Sequence, residues 1–442
     1  MRDKIVDVMP EMKTGKELLD CLRETPEYPA CIWEKNSMER LVALSDIYNV
    51  YIPSRMSVEI YHKLYMGLLR SMQKKESMQA VYQKYENQRG IRGGRCRGIL
   101  GGSDSFTILG ASGIGKSSAV FRAIDLIMTK KVIETEEPYC RIAPCIIVQC
   151  PFDSSVKGLL LEILRKVDEV LGSKYYVNAL KARASVDMLI GSVSQVSLNH
   201  IGLLVVDEIQ NVVNSRNGKS LVGMLTQLIN NSGIAICMVG TPESIPFFEQ
   251  AMQLARRSLG LQYEAMQFGD EFCEVCRELF LYQYTKTRME LSAGVTEWLF
   301  EHCGGNISVL VSLIHDAQEI AILEGDDVLD MAMLEAAYQK RMSMLHDYLE
   351  PSIKRKKQSS DSRKRASVSV EEPEGTGTNI QETLAGMVSR AKKENLDVVE
   401  VFKQHFKVEE VAVLLLFFRN CMRMNWHTAG SPVITQNQGI CH

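Results

Sequence analysis

The stretch that decides the fold reads Phe106-Thr-Ile-Leu-Gly110-Ala-Ser-Gly-Ile-Gly115-Lys116-Ser117-Ser118. Residues of strand character lead into a glycine-rich turn, and a helix-forming segment from Ala119 to Met128 follows. The turn fits the pattern G-x-x-x-x-G-K-S of a P-loop, in which backbone N–H groups surround phosphates. The following helix directs its positive N-terminal end at the same anion. The stretch therefore predicts a strand–turn–helix unit that binds a nucleotide.

The P-loop pattern assigns a role to each part of the turn. Lys116 is predicted to reach the β- and γ-phosphates, and Ser117 to ligate Mg²⁺, so ATP and Mg²⁺ are the expected cofactors. The whole set of predicted nucleotide-binding residues in the turn is Gly110, Ala111, Ser112, Gly113, Ile114, Gly115, Lys116, Ser117 and Ser118.

About 90 residues after the P-loop, a buried strand is predicted to end in two carboxylates. The run is Ile201-Gly-Leu-Leu-Val-Val-Asp207-Glu208. Asp207 is predicted to bind the nucleotide and its Mg²⁺, and Glu208 to orient and deprotonate the attacking water. The alternative is that the two acids only cap a helix at the strand end.

Two further segments supply candidate catalytic residues. A third buried strand, Gly233 to Gly240, is followed by Thr241, where AAA+ ATPases place the sensor 1 residue that detects the γ-phosphate. Further on, Arg256 and Arg257 are candidates for an arginine finger that completes the site of a neighbouring subunit. The alternatives are an ordinary strand-end hydroxyl and a pair of solvated surface arginines.

Composition limits the class of protein. A chain of 442 residues with 45% hydrophobic residues predicts two to three globular domains. The net charge of −3 gives no overall nucleic-acid signature, so any DNA contact must come from a local patch. The 12 scattered cysteines suit free thiols in a reducing cytoplasm, and no membrane segment is predicted. Cys273 and Cys276 form a lone CxxC in a helical pattern, which favours helix packing over zinc or redox chemistry.

The predicted fold class is α/β: an AAA+ P-loop NTPase with a parallel sheet flanked by helices, a small helical lid, and helical additions at both ends. A disordered linker precedes the C-terminal addition, because charge is segregated there and apolar residues are few. The predicted divisions are a helical N-terminal appendage (1–50), the ATPase core (51–270), the lid (271–350), the linker (351–378) and a partner-binding tail (379–442). Ile52 and Pro53 either cover the adenine or form a simple turn.

The order of motifs resembles the TnsC/TniB transposition ATPases, in particular TnsC regulators that work with a separate target selector. The most discriminating runs are Cys150-Pro-Phe-Asp-Ser-Ser-Val-Lys157 and Gly202-Leu-Leu-Val-Val-Asp-Glu-Ile-Gln-Asn211, and the resemblance spans roughly Tyr51 to Leu313. It implies ATP-dependent assembly, as rings or filaments, on double-stranded DNA of any sequence. It also implies partners: a TnsD- or TniQ-type target selector and TnsA- and TnsB-type transposase subunits.

Within this resemblance, Ser155 and Lys157 are the predicted DNA-binding residues, because they open the helix that lines the inner surface of AAA+ rings. Lys157 as an ordinary helix-start lysine is the alternative. One position departs from the AAA+ pattern: Gly304-Gly-Asn-Ile-Ser308 lacks the sensor 2 arginine. The departure implies weak hydrolysis or greater dependence on a neighbour's arginine. Two other functions stay open: a helicase loader or initiator-like remodeller, and a signalling ATPase that binds only proteins.

Overall fold

The computed structural model describes residues 5–92, 97–100, 105–135, 139–213, 215, 217–250, 260–324 and 327–341. All of them belong to the first of two compact units of the chain, Met1–Lys364. The predicted linker (351–378) and tail (379–442) lie outside the described residues, and so do Arg256 and Arg257.

The centre of the fold is a six-stranded sheet. Its strands are β1 (Phe106–Gly110), β2 (Ile133–Thr135), β3 (Cys140–Gln149), β4 (Ile201–Asp207), β5 (Ala235–Gly240) and β6 (Leu261–Tyr263). The order is β2-β3-β4-β5-β1-β6, and every neighbouring pair is parallel except β2 with β3. The P-loop strand β1 lies between β5 and β6.

Helices form most of the rest of the described fold. They are α1 (Gly15–Leu22), α2 (Ser37–Leu44), α3 (Arg55–Lys75), α4 (Met78–Ile91), α5 (Lys116–Ile127), α6 (Val156–Leu171), α7 (Tyr175–Lys181), α8 (Val186–His200), α9 (Gly218–Ser232), α10 (Ile245–Gln250), α11 (Asp270–Leu279), α12 (Ala293–Cys303), α13 (Ile307–Glu324) and α14 (Met331–Arg341). Short 3₁₀ turns span Ile5–Val8, Ile32–Glu34, Ser45–Asn49, Ile209–Val212 and Pro242–Ser244.

Both faces of the sheet are buried, which makes three layers. Successive residues of β4 alternate between the faces: Leu204 and Val206 pack with α6, α8 and α9, while Leu203 and Val205 pack with α3 and α5. A strand with helices on both sides needs apolar residues on both faces, as β4 has from Leu203 to Val206. The predicted fold class, a parallel sheet flanked by helices, is confirmed.

Strand β3 is longer than the sequence indicates. The run Cys145–Cys150, bounded by prolines, predicts a short strand, but β3 begins at Cys140 and passes through Pro144. The edge strand β2 pairs only with residues Cys140 to Ile142 of β3. Pro144 lies just beyond this pairing, so its missing N–H costs no bond to β2.

A second hydrophobic core joins the lid, defined as helices α11–α14, to the N-terminal segment. Leu44 and Ile47 are fully buried in the same cluster as Leu310 and Ile314 of α13. Residues 5–50, predicted as an appendage, therefore share part of their apolar surface with the lid.

A buried ion pair connects the N-terminal segment to the lid. The side chain of Arg40 in α2 is fully buried and forms a bidentate pair with the carboxylate of Asp327, between α13 and α14. Arg40 also donates to the backbone oxygen of Tyr284 at 2.9 Å. The hydrogen bonds from Arg40 lower the pKa of Asp327.

Replacing Arg40 with leucine is expected to destabilise the protein by about 3–5 kcal/mol, because it leaves the Asp327 carboxylate without its main buried partner. The pKa of Asp327 is lowered in the folded state, so the lost stabilisation is present above the ordinary pKa of aspartate and disappears as pH falls through the native value. Denaturant unfolding at neutral and acidic pH measures both effects. Arg89→Leu is the control, because Arg89 is exposed in its pair with Glu86. Equal losses in the two variants would contradict the assignment.

Among the described residues, no single helix is long and apolar enough to cross a membrane. Helices α12 and α13 pass that test only as a pair, on length and composition, and they are bent by 118° where they meet.

Candidate functional site

The predicted P-loop connects β1 to α5 and has the geometry of a phosphate cradle. Gly113 and Gly115 adopt φ angles of 81° and 93°, which side chains other than glycine rarely adopt, and Gly115 precedes the first turn of α5. The Nζ of Lys116 donates to the backbone oxygen of Ala111 at 2.7 Å. Burial lowers the pKa of Lys116, against the pull of Asp207 and Glu208. A phosphate group at this position would supply the charge partner that the buried ammonium lacks.

The end of β4 faces the start of α5. The Oγ of Ser117 donates to Oδ2 of Asp207 at 3.2 Å, and Oδ1 of Asp207 accepts from the backbone N–H of Glu208 at 2.8 Å. A hydroxyl and a carboxylate this close are oxygen ligands of the kind that Mg²⁺ prefers. Ser117 and Asp207 therefore fit the predicted metal-binding role.

Glu208 follows β4 in a left-handed conformation with φ 57°, which is uncommon outside glycine. Its exposed carboxylate accepts a hydrogen bond from Nε2 of Gln210. The Oε1 of the same Gln210 accepts from the backbone N–H of Thr241 at 3.3 Å. Gln210 thus connects the candidate base to the candidate sensor residue, a role that the sequence did not indicate.

Thr241 lies at the end of β5, beside Glu208. Its hydroxyl donates to Oε2 of Glu243 at 3.0 Å. The structure therefore brings Lys116, Ser117, Asp207, Glu208 and Thr241, which come from three separate segments, together at one edge of the sheet.

These residues line a cavity of about 540 Å³. This volume suits a nucleotide-sized ligand. Residues 112–118 of the P-loop line it, and Gly110 and Ala111 lead into this part from β1. The rest of the lining includes residues 48–52, Met266, and the apolar lid residues Val275, Leu279, Ile307 and Val311. Ile52 thus lines the cavity, while the lid residues were not predicted.

The lid contacts the P-loop directly. The Nδ2 of Asn306 donates to the backbone oxygen of Ser112 at 2.8 Å, and the N–H of Ser308 donates to the oxygen of Gly113 at 2.9 Å. A Cβ atom on Gly113 would lie only 2.6 Å from Oδ1 of Asn306. Ser308 occupies the cavity wall where a sensor 2 arginine is usual in AAA+ lids.

Within the part of the chain that the structure describes, Lys116 and Arg122 are the cations that line the cavity. The guanidinium of Arg122 is paired with Glu24 and lies 5.6 Å from the centre of the Tyr51 ring. Glu24 and Tyr51 also exchange backbone hydrogen bonds of 3.0 and 2.7 Å. The N-terminal segment is therefore attached to the wall of the cavity.

The predicted DNA-binding residues lie away from this cavity, at the start of α6. Ser155 is the N-cap of α6, and its Oγ accepts from the N–H of Gly158 at 3.1 Å. The cap of this helix is therefore Ser155, and not Asp153 or Ser154 before it. Lys157 is exposed in the first turn.

The P-loop, the Asp-Glu strand end and the lid meet at one cavity, and this combination is typical of the AAA+ P-loop NTPase fold. Residues 102–264 match the family model of TniB, described as Bacterial TniB protein. The resemblance to the TnsC/TniB family is confirmed over this segment, which contains the P-loop, Asp207, Glu208 and the start of α6.

Solved structures with similarity to the chain include the Aeropyrum pernix ORC1 protein in complex with DNA, at 14% identity and a TM-score of 0.39. That match covers 59% of this chain and 64%, less than two thirds, of ORC1. Drosophila ORC bound to DNA has 12% identity, covers 95% and 90% of the two chains, and has a TM-score of 0.43. The Thermotoga maritima RuvB Holliday junction branch migration motor has 9% identity, 77% and 82% coverage, and a TM-score of 0.36. No curated protein sequence matches the chain.

Proposed function

We propose that this protein is an ATP-dependent switch in DNA transposition. It assembles with ATP on double-stranded DNA of any sequence, marks the target site, and connects a TnsD- or TniQ-type selector to TnsA- and TnsB-type transposase subunits. The observation that carries the proposal is the TniB match over residues 102–264, which contains both a complete set of P-loop and Asp-Glu groups and the exposed Lys157.

ATP is proposed to bind with its phosphates at residues 112–118 and its base against the apolar wall of residues 48–52 and the lid. Lys116 holds the terminal phosphates, and Ser117 and Asp207 hold Mg²⁺, which neutralises charge on the phosphates when bound. Glu208 accepts the proton of the attacking water, with its carboxylate oriented by Gln210. Thr241 is the neighbouring group that detects the terminal phosphate.

Hydrolysis is proposed to depend on a second copy of the chain. Ser308 lies in the cavity wall in place of a lid arginine, so the described part of one copy leaves the terminal phosphate with Lys116 as its main cation. Arg256 and Arg257 of a neighbouring copy are the proposed source of the missing charge. Assembly on DNA would then set when hydrolysis occurs, as a switch requires.

Duplex DNA is proposed to contact the start of α6. Lys157 is exposed there, and α6 is a helix of 16 residues whose first turn is ordered by the Ser155 cap. A lysine at a helix start attracts phosphate by its own charge and by the helix dipole. Contacts of this kind recognise the DNA backbone and not the bases, so binding is independent of sequence.

Lys157→Glu is expected to weaken ATP-dependent binding to random-sequence duplex DNA by about tenfold or more, and to lower the slope of log affinity against log salt. Fluorescence anisotropy of a labelled duplex, with ATP and with ADP, measures both quantities. Lys174→Glu is the matched control, because Lys174 is exposed beyond the other end of α6. The wild type should bind with ATP and not with ADP.

Each alternative function has its own outcome in this experiment. Stronger binding to single strands than to duplexes would favour a helicase loader or initiator. No binding to DNA in either nucleotide state would remove the central step of the proposal and favour an ATPase that binds only proteins.

A further inference from the structure

We propose that Asn211 is the positioning residue through which DNA bound at the start of α6 alters the position of Glu208. The inference rests on the proposed function for its ligand, and it concerns the regulation of the same ATP site. Asn211 does not line the nucleotide cavity. It therefore acts through its neighbours and not by touching the nucleotide.

Asn211 makes three hydrogen bonds that join two loops. Its backbone N–H donates to the oxygen of Glu208 at 3.1 Å. Its side-chain Nδ2 donates to the oxygen of Cys150 at 2.9 Å, and its backbone oxygen accepts from Oγ of Ser154 at 3.1 Å. Asn211 thus binds the residue that carries the candidate base and also two points of the β3–α6 loop, residues 150–155.

The β3–α6 loop is held firmly at its base and exposed at its tip. Ser154 is fully buried and adopts φ 51°, a left-handed conformation that only a well-fixed serine maintains. Phe152 is 88% exposed, and Lys157 follows in the first turn of α6. A ligand that moves this exposed tip acts against the bonds of Ser154 and Cys150 to Asn211.

The other side of Asn211 is equally constrained. Glu208 has φ 57°, and the 3₁₀ turn Ile209–Val212, which follows Glu208 and contains Asn211, is only four residues long. In so short a turn, a displacement of Asn211 changes the backbone at Glu208 and the contact of its carboxylate with Gln210. The general-base position therefore depends on the β3–α6 loop.

Two further side chains bind the same loop and provide a matched control. The Oγ of Ser215 and the Nδ2 of Asn217 donate to the oxygen of Asp153 at 2.8 and 3.2 Å. Asn217 is an asparagine that donates to a carbonyl of the β3–α6 loop, as Asn211 does, but it lies beyond the 3₁₀ turn that follows Glu208. Loss of its bond loosens the loop without breaking the path to Glu208.

The test compares kcat for ATP hydrolysis with and without saturating random-sequence duplex DNA. In the wild type, duplex DNA should change kcat. In Asn211→Ala the ratio of kcat with DNA to kcat without DNA should move to within about twofold of one. The KM for ATP and the affinity for DNA should change by less than about threefold. Ser154→Ala, which removes the other side-chain bond, should reduce the ratio in the same direction. Asn217→Ala should keep the wild-type ratio.

The outcomes separate the two proposals. Wild-type protein that does not bind duplex DNA overturns the proposed function, and this inference with it. DNA binding without any change in kcat, or a wild-type ratio in Asn211→Ala, overturns the inference alone. Melting temperatures identify any variant that fails to fold, and Ser154→Ala then provides the decisive comparison.

Discussion

Glu208→Gln is expected to lower kcat for ATP hydrolysis by about 100-fold or more, because the amide cannot accept a proton from the attacking water. Nucleotide affinity should change little, since Asp207, Ser117 and Lys116 are unaltered and glutamine has nearly the same shape as glutamate. The variant should therefore remain in the ATP-bound state, and its complexes with duplex DNA should persist. Steady-state phosphate release and titration with a fluorescent ATP analogue measure the two quantities.

Glu243→Gln is the control for this experiment. The exposed carboxylate of Glu243 accepts a hydrogen bond from the hydroxyl of Thr241. Glu243 does not line the cavity. The kcat of the Glu243→Gln variant should stay close to that of the wild type. If Glu208→Gln hydrolysed ATP as fast as Glu243→Gln, the assignment of the base to Glu208 would be wrong.

Lys116→Ala is expected to weaken ATP binding by about 100-fold, since it removes a charge-assisted contact to the terminal phosphates. The structure gives a reason for a large effect: Lys116 is only 7% exposed as a residue, and the single hydrogen-bond partner of its ammonium among the described residues is the oxygen of Ala111. A negatively charged ligand gains more from a partly desolvated cation than from a solvated one. Isothermal titration with ATP and with ADP measures the loss.

The matched control is Lys131→Ala, because Lys131 is an exposed lysine beyond the end of α5. ATP affinity should be unchanged in this variant. The loss in Lys116→Ala should be larger for ATP than for ADP, since the proposed contact includes the γ-phosphate. An equal loss for both nucleotides would place the lysine on the β-phosphate alone.

The parts of the site that the sequence predicts are local. The P-loop places Lys116 and Ser117 by a fixed spacing within one strand–turn–helix unit, and the strand-end pair Asp207-Glu208 comes directly after an apolar run. In a parallel sheet such strand ends meet at one edge, so their convergence follows from the order of strands and helices. Thr241 was predicted by the same reasoning, although the structure shows its hydroxyl bonded to Glu243.

The parts that the sequence does not predict depend on contacts between distant segments. Asn306 and Ser112 are 194 residues apart, and their hydrogen bond exists only because the lid folds back on the P-loop. Gln210 and Asn211 stand in a recognisable run, yet their roles depend on which backbone groups lie opposite them. Similarly, α6 is capped by Ser155 and not by the two residues before it, because Ser154 is buried and bonded to Asn211.

The attachment of the N-terminal segment has a practical consequence for how the protein can be divided. Glu24 is hydrogen-bonded to Tyr51 in the cavity wall, and Arg40 is paired with Asp327 of the lid region. A shortened version that starts after residue 50 would lose part of the cavity lining and the ion pair that holds the lid. A version trimmed to the family-matched segment would lose the lid as well. If such a truncated protein failed to bind a partner, the first cause to test would therefore be poorer nucleotide binding. Binding partners are better mapped with surface substitutions in the whole chain of 442 residues.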